Sequence, residues 1–226
     1  AVLHQGIASY VAGMDSSTRR EWDKVAGRFD EIIFSHPLEQ VVELCAHALA
    51  VDLRRVPAEM RLESQEAMRR AIDAGMYGNA SADILTNLAP RLFPLHPTVL
   101  PILMNLLRRF GQNERSLFGF LSGYEPSGLQ EHAAMPLNQA RFYRLPDLYS
   151  YFRSNLAHTV NNGKATHWRT IESVVGRAPS SPNCCVSLLQ AVGLLNLIDD
   201  DILIASKDLM SDAVHLSDQV SVEEAF

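Results

Sequence analysis

Cysteine is scarce in this chain of 226 residues, which contains only three: Cys45, Cys184 and Cys185. Without a C-x-x-C pair, three cysteines provide neither a disulfide framework nor a recognisable zinc pattern. The eight histidines show no H-E-x-x-H spacing, so no metal site is expected. Cys45 falls on the apolar side of a helical pattern and is predicted to be a packing residue. A reducing cytoplasm is the expected compartment.

Long apolar runs are also absent. No stretch approaches the roughly 20 apolar residues that a membrane-spanning helix needs, and the amino terminus lacks the layout of a secretory signal. The formal net charge of −6 argues against a surface dedicated to nucleic acid. Hydrophobic residues make up 47% of the chain and charged residues 20%, which is typical of a globular domain outside the membrane.

Motifs for nucleotide binding and nucleophilic catalysis are missing as well. No G-x-x-x-x-G-K-[ST] loop for phosphates and no G-x-S-x-G turn occurs anywhere in the chain. No apolar strand ending in paired acids precedes His4 and Gln5, so a carboxylate for magnesium is lacking too. The chain is therefore not expected to hydrolyse ATP alone. It begins without Met in a strand-like pattern, and we expect it to be a piece of a longer protein.

Apolar residues recur mainly at helical spacing. The clearest predicted helices cover 37–51, 62–75 and 97–110, and the short apolar run 32–34 is the one well-supported strand. Later helical patterns cover 146–159, 164–175, 182–197 and 205–216. A Gly, Pro and Ser-rich break at 122–128 predicts a domain boundary. The predicted fold class is mainly α, a helical bundle with at most one or two short strands.

The stretch from Gly27 to Phe34 carries the strongest candidate for chemistry. Arg28 follows a polar helical pattern and precedes the predicted strand. A guanidinium fixed at such a corner can reach a neighbouring subunit's nucleotide, because it is always charged and its planar fork matches phosphate oxygens. The alternative is a surface arginine paired with Asp30 or Glu31.

This order of elements resembles the second half of an AAA+ ATPase core. Gly27-Arg28-Phe29-Asp30 matches the glycine-arginine-phenylalanine-aspartate of the AAA second region of homology, in which the arginine acts as a finger. The segment 96–121, which includes Gly111 to Phe118, resembles the helical lid of large bacterial P-loop ATPases from phage-defence clusters of the BREX kind.

The resemblance implies a domain layout and partners. Residues 1–56 would be the C-terminal part of the ATPase core, residues 57–125 the helical lid, and residues 126–226 a helical region leading into a truncated winged-helix domain. The parent protein would be a homo-oligomer that uses ATP and Mg, with neither expected to bind tightly to this chain alone.

The resemblance also implies roles for individual residues. Arg28 would be the arginine finger, Arg115 a lid sensor that contacts nucleotide, and His4 and Gln5 a strand-end sensor. Arg115 equally fits an ordinary ion pair with Glu114 at a helix start, which is worth little free energy.

Basic and aromatic residues cluster between positions 141 and 169. A nucleic-acid backbone is one predicted partner of the basic side chains, with tyrosines stacking on bases. The basic residues concerned are Arg141, Arg144, Arg153, Lys164 and Arg169. The alternative buries the aromatic residues in a core and leaves the arginines on the wet face. The second function hypothesis is accordingly a non-enzymatic helical interaction or DNA-binding adaptor.

Overall fold

The computed structural model describes most of the chain from Pro37 onward. The described residues are Asp15, 17–18, 37–110, 114–136, 141–160, 162–178, 183–200, Leu203 and 205–214. The candidates Arg28, His4 and Gln5 and the predicted strand 32–34 lie outside the described residues, so their predictions stay predictions. The described residues from Pro37 onward belong to one compact unit.

Ten α-helices make up this described part, which contains no β-strand. In chain order they are α1 (Leu38–Leu49), α2 (Ala58–Asp73), α3 (Ala82–Leu88), α4 (Val99–Phe110), α5 (Glu114–Ser122), α6 (Leu129–Ala133), α7 (Leu145–Asn155), α8 (Asn162–Gly176), α9 (Asn183–Ile198) and α10 (Lys207–Ala213). Short 3-10 helices follow α3 at Ala89–Leu92 and α7 at Ala157–Thr159. The predicted mainly α fold is confirmed.

Proline and glycine set several helix ends. Pro37 and Pro57 stand immediately before α1 and α2, where the missing N–H costs nothing because no intrahelical partner exists for it. This is why α2 starts at Ala58, earlier than the predicted position 62. Gly75, with φ at 78°, follows α2 in the left-handed conformation that glycine adopts without steric cost.

A single hydrophobic cluster runs from Val41 in α1 to Val214 after α10. Its centre is α9, which packs on α7, α8, α4 and α10. Leu194, Leu197 and Ile198 of α9 have no exposed surface. The cluster contains residues on both sides of the predicted boundaries at 56/57 and 125/126, and those boundaries stay predictions about the organisation of the parent protein.

Aromatic side chains fill the space between α5, α7 and α8. The Phe120 ring lies edge-on to Tyr151 and Tyr143, at centroid distances of 4.9 and 5.5 Å. Trp168 of α8 contacts Phe152 and Tyr149 of α7 at 5.0 and 5.4 Å. The tyrosines of the basic and aromatic segment are thus core residues, exposed by 2% or less, and are not available to stack on bases.

Two tyrosine hydroxyls donate hydrogen bonds to the Gly, Pro and Ser-rich segment 122–128. Tyr143 donates a hydrogen bond to the Ser127 carbonyl at 2.9 Å, and Tyr151 donates one to Glu125 at 2.6 Å. Burial raises the pKa of both phenols above their usual range, so both remain donors. The Gly, Pro and Ser-rich stretch 122–128 is therefore held against the core.

Candidate functional site

Arg144 is buried, in contrast to a residue on a nucleic-acid-binding surface. Its exposed fraction is 8%. One guanidinium nitrogen donates to Glu63 of α2 at 2.5 Å, and the other donates to the Asp212 carbonyl in α10. The guanidinium also lies over the Phe142 ring, 5.3 Å from its centroid. Burial lowers the pKa of Arg144, and the ion pair with Glu63 opposes that effect. Arg144 thus cross-links α2, the start of α7 and α10.

Three more of the predicted nucleic-acid contacts are engaged by carboxylates. These ion pairs are Arg141–Asp147, Arg153–Glu172 and Lys164–Asp199, with shortest N–O distances of 2.7, 3.2 and 3.3 Å. The pair with Asp147 is bidentate and raises the pKa of Arg141. Contact of these residues with DNA stays a prediction, and a phosphate would have to compete with these carboxylates.

Arg169 differs from the other four predicted nucleic-acid contacts, all of which form ion pairs with carboxylates. Its Nε donates to the Ala165 carbonyl at 3.2 Å, and it forms no ion pair with any described residue. Arg177 follows the last residue of α8, is exposed and lines the same open surface as Arg169, and the described side chains likewise include no carboxylate in an ion pair with it. The sequence prediction missed Arg177, which lies beyond both the predicted helix 164–175 and the end of α8.

Arg115 is the second residue of α5, which begins at Glu114. Its backbone position at a helix start agrees with the sequence-based placement. The role of Arg115 as a lid sensor stays a prediction. The segment 96–121 that resembles an ATPase lid corresponds here to α4 and α5.

His96 is buried before α4, with an exposed fraction of 1%. Its Nδ1 accepts hydrogen bonds from the Thr98 hydroxyl at 2.9 Å and the Thr98 N–H at 3.4 Å. Burial lowers the pKa of His96 well below its usual value, and the nearby charges of Arg144 and Arg70 lower it further. The neutral ring therefore satisfies local backbone and side-chain donors.

The burial of His96 makes the free energy of unfolding depend on pH. Because the pKa of His96 is lower in the folded state, the unfolded state takes up a proton first as the pH falls below about 6.5. We expect the free energy of unfolding to fall there by up to about 1.4 kcal/mol per pH unit, until the folded pKa is reached. Urea unfolding at several pH values checks this. His96→Asn, which retains an acceptor, should reduce the slope, and His47→Asn, at an exposed position of α1, is the matched control.

Cys45 is fully buried in α1, which confirms its predicted packing role. Burial raises the pKa of its thiol to about 12, so it is not a nucleophile near neutral pH. Among the described residues, no three His, Cys, Asp or Glu side chains are grouped so that they would hold a metal ion. None of the described helices combines the length and apolar character needed to cross a membrane.

Two open, adjoining surfaces border α8. One is formed by residues of α8 and the turn after it, including Arg169, Ser173 and Arg177. The other lies between α8 and α9, and its lining is mainly apolar. Val174, which is 46% exposed, borders both. Their shape suits a protein surface better than an enclosed small molecule.

No family model, curated protein or solved structure matches this chain. The resemblance to AAA+ ATPases therefore rests on the residues quoted from the sequence.

Proposed function

We propose that this chain supplies an arginine finger and a helical lid to an AAA+ ATPase whose phosphate-binding loop lies outside this sequence. The observation that carries the proposal is the sequence Gly27-Arg28-Phe29-Asp30, followed by a chain whose described part is mainly α-helical. The start of α5 at Glu114, next to Arg115, supports a sensor at the beginning of a lid helix.

Arg28 contributes positive charge in this proposal. A guanidinium aimed at the γ-phosphate of ATP in a neighbouring subunit stabilises the charge that builds up during phosphoryl transfer. Arg115 contacts nucleotide from its own subunit, and His4 and Gln5 position the attacking water. In this proposal the phosphate-binding loop and the carboxylate for Mg are supplied by the remainder of the parent protein. The output is remodelling of a partner or phage-defence signalling.

The test is Arg28→Ala in the parent protein. We expect ATP turnover to fall by about a thousandfold or more while nucleotide binding is retained, because a finger acts on the transition state rather than on the bound substrate. Arg91→Ala, which removes an exposed arginine from the 3-10 helix after α3, is the matched control. Unchanged turnover in the Arg28 variant, with nucleotide still bound, would remove the finger assignment.

Action across a subunit boundary is tested by mixing two inactive variants. One carries Arg28→Ala and the other lacks the lysine of the phosphate loop, so each supplies what the other has lost. Recovery of turnover in the mixture is expected if the finger acts in trans. The coding sequence provides a simpler check, since a G-x-x-x-x-G-K-[ST] motif should occur within roughly 100–200 residues upstream, the size of one domain.

A helical interaction module is the second candidate function. The observation that favours it is the exposed surface of α8 and the turn after it, where Arg169 and Arg177 form no ion pair with any described residue and Val174 is 46% exposed. Such a module would bind its partner without ATP. Binding that is unaffected by Arg28→Ala therefore separates this function from the first.

A further inference from the structure

Hydroxyl and guanidinium groups share one open surface of α8 and the turn after it. We call this surface the α8 polar face, and its lining residues are Thr166, Arg169, Thr170, Ser173, Val174 and Arg177. All six are exposed, and Val174 is the single aliphatic residue among them. The face therefore presents hydrogen-bond donors to solvent, with no acidic side chain in its lining.

Ser173 lies between the two arginines of this face. Arg169 precedes it by four residues and Arg177 follows it by four, so each arginine is about one helical turn away. Arg177 lies beyond the end of α8, but its N–H donates to the Ser173 carbonyl at 3.2 Å. The helical hydrogen bonding thus continues as far as Arg177, and both guanidinium groups flank the Ser173 side chain.

The positive charge of the α8 polar face is not neutralised by any described residue. Nε of Arg169 donates to the Ala165 carbonyl at 3.2 Å, and its two terminal nitrogens donate to no described residue. Arg177 forms no ion pair within the described part of the chain. Glu172, the one acidic residue of α8, pairs with Arg153 of α7 at 3.2 Å and does not line the face. Both arginines can therefore accept an anionic partner.

Phosphate oxygens are acceptors that suit these donors. A guanidinium binds phosphate through two parallel N–H groups, and serine and threonine hydroxyls donate to further oxygens. The Thr170 hydroxyl already donates to the Thr166 carbonyl at 3.0 Å, so the hydroxyls of Thr166 and Ser173 are the ones available. The lining contains no aromatic ring on which a base could stack, so a contact here is made with the phosphate backbone alone.

The length of the face favours several phosphates over one. Its openness alone would suit a protein partner equally well. From Thr166 to Arg177 it extends about 16 Å along the helix axis. Double-stranded DNA carries one negative charge per about 1.7 Å of its axis, so a face of this length meets several phosphates, whereas a phosphorylated side chain supplies one. A single strand is held largely by stacking on aromatic side chains, which this face lacks.

We propose that the α8 polar face binds the phosphate backbone of a double-stranded nucleic acid, without regard to base sequence. This partner applies only if the second candidate function, an interaction module, is correct. Of the five basic residues that the sequence assigned to DNA, Arg169 alone belongs to the face, and Arg177 joins it. The net charge of −6 opposes the approach of a polyanion, so the expected dissociation constant is about 100 μM at physiological salt, the weak end of sequence-independent binding.

Fluorescence anisotropy of a short labelled DNA duplex, titrated with the full chain, tests the contact. Affinity should fall as salt rises from about 0.05 to 0.2 M, and two duplexes of unrelated sequence should bind alike. Arg169→Ala with Arg177→Ala should weaken binding at least about tenfold at low salt and reduce the salt slope by about 2, since each lost phosphate contact removes about one unit. Arg91→Ala, which removes an exposed arginine elsewhere, is the control and should change neither.

Ser173 allows a second test that differs by a single charge. Ser173→Glu places a carboxylate within one turn of both arginines, where it neutralises them, and should weaken duplex binding about as much as the double arginine variant. Ser173→Gln introduces a side chain of nearly the same size without the charge, and it should retain most of the affinity. Circular dichroism of each variant checks that the helices are retained.

Three results overturn the proposal. The first is a wild-type chain that does not bind the duplex at low salt. The second is duplex binding that survives the Arg169, Arg177 and Ser173 substitutions, because the contact then lies elsewhere. The third is tighter binding of a single strand, or of a phosphorylated peptide, than of the duplex. In the second and third cases the chain still binds a partner, so the second candidate function would stand while this site or this partner would not.

Discussion

Replacement of Phe120 by alanine is expected to lower the free energy of unfolding by about 3–5 kcal/mol. Phe120 has no exposed surface, and its ring contacts Tyr143 and Tyr151 edge-on. The substitution loses the favourable transfer free energy of burying a large side chain, and it loses both aromatic contacts. It also leaves a cavity whose lining side chains lose packing contacts. Denaturant unfolding followed by far-ultraviolet circular dichroism measures this change.

Phe118→Ala provides the matched control for this substitution. Phe118 lies two residues earlier on the same helix, and 43% of it is exposed. The same atoms are removed, but much of the surface is already in water, so the expected loss is below about 1 kcal/mol. Equal losses for the two variants would mean that the interior of this protein is not organised around Phe120.

Replacement of Arg144 by methionine is expected to destabilise the fold by about 2–4 kcal/mol. The buried guanidinium holds Glu63 and the Asp212 carbonyl, which come from helices far apart in the chain. Methionine fills much of the volume but leaves both acceptors without their donor. Thermal and denaturant unfolding measure the loss.

Comparison with Arg141 separates the effect of burial from the effect of losing an ion pair. Arg141→Met also breaks a bidentate pair, with Asp147, but the Arg141 side chain is 52% exposed and the expected loss is below about 1 kcal/mol. Glu63→Gln should lower the free energy of unfolding less in the Arg144→Met variant than in the wild type, because the carboxylate has already lost its partner. Additive losses would argue that Arg144 and Glu63 do not interact in solution.

Helices with a strong apolar stripe could be predicted from the sequence. The pattern that predicted a helix over 97–110 corresponds to α4, whose side facing the core buries residues such as Leu103 and Leu107. Helix α6, with the five residues Leu129–Ala133, was missed because it is too short to show a period. It is stabilised by tertiary contacts instead, including the hydrogen bond between His132 and the Arg141 carbonyl at 2.9 Å.

The surface charges could be predicted only in part. Local sequence placed Arg144 among basic residues on a wet face, whereas its partner Glu63 lies 81 residues away along the chain. No local pattern indicates that such a carboxylate will meet it, because the contact depends on how α2 and α7 pack. Arg169 remains exposed as predicted, and Arg177, in the turn after α8, lines the same open surface.

Gly193 determines how closely α8 and α9 approach, and thereby the shape of the cleft between them. The distance between α8 and α9 is limited at this point by backbone and the methyl of Ile171, with no intervening side chain. Any larger residue here would wedge the two helices apart and reshape the cleft, while Arg169 on the neighbouring surface of α8 would be retained. The shape of this cleft and the charge of the adjoining helix surface are thus set at separate positions, which can change independently of each other.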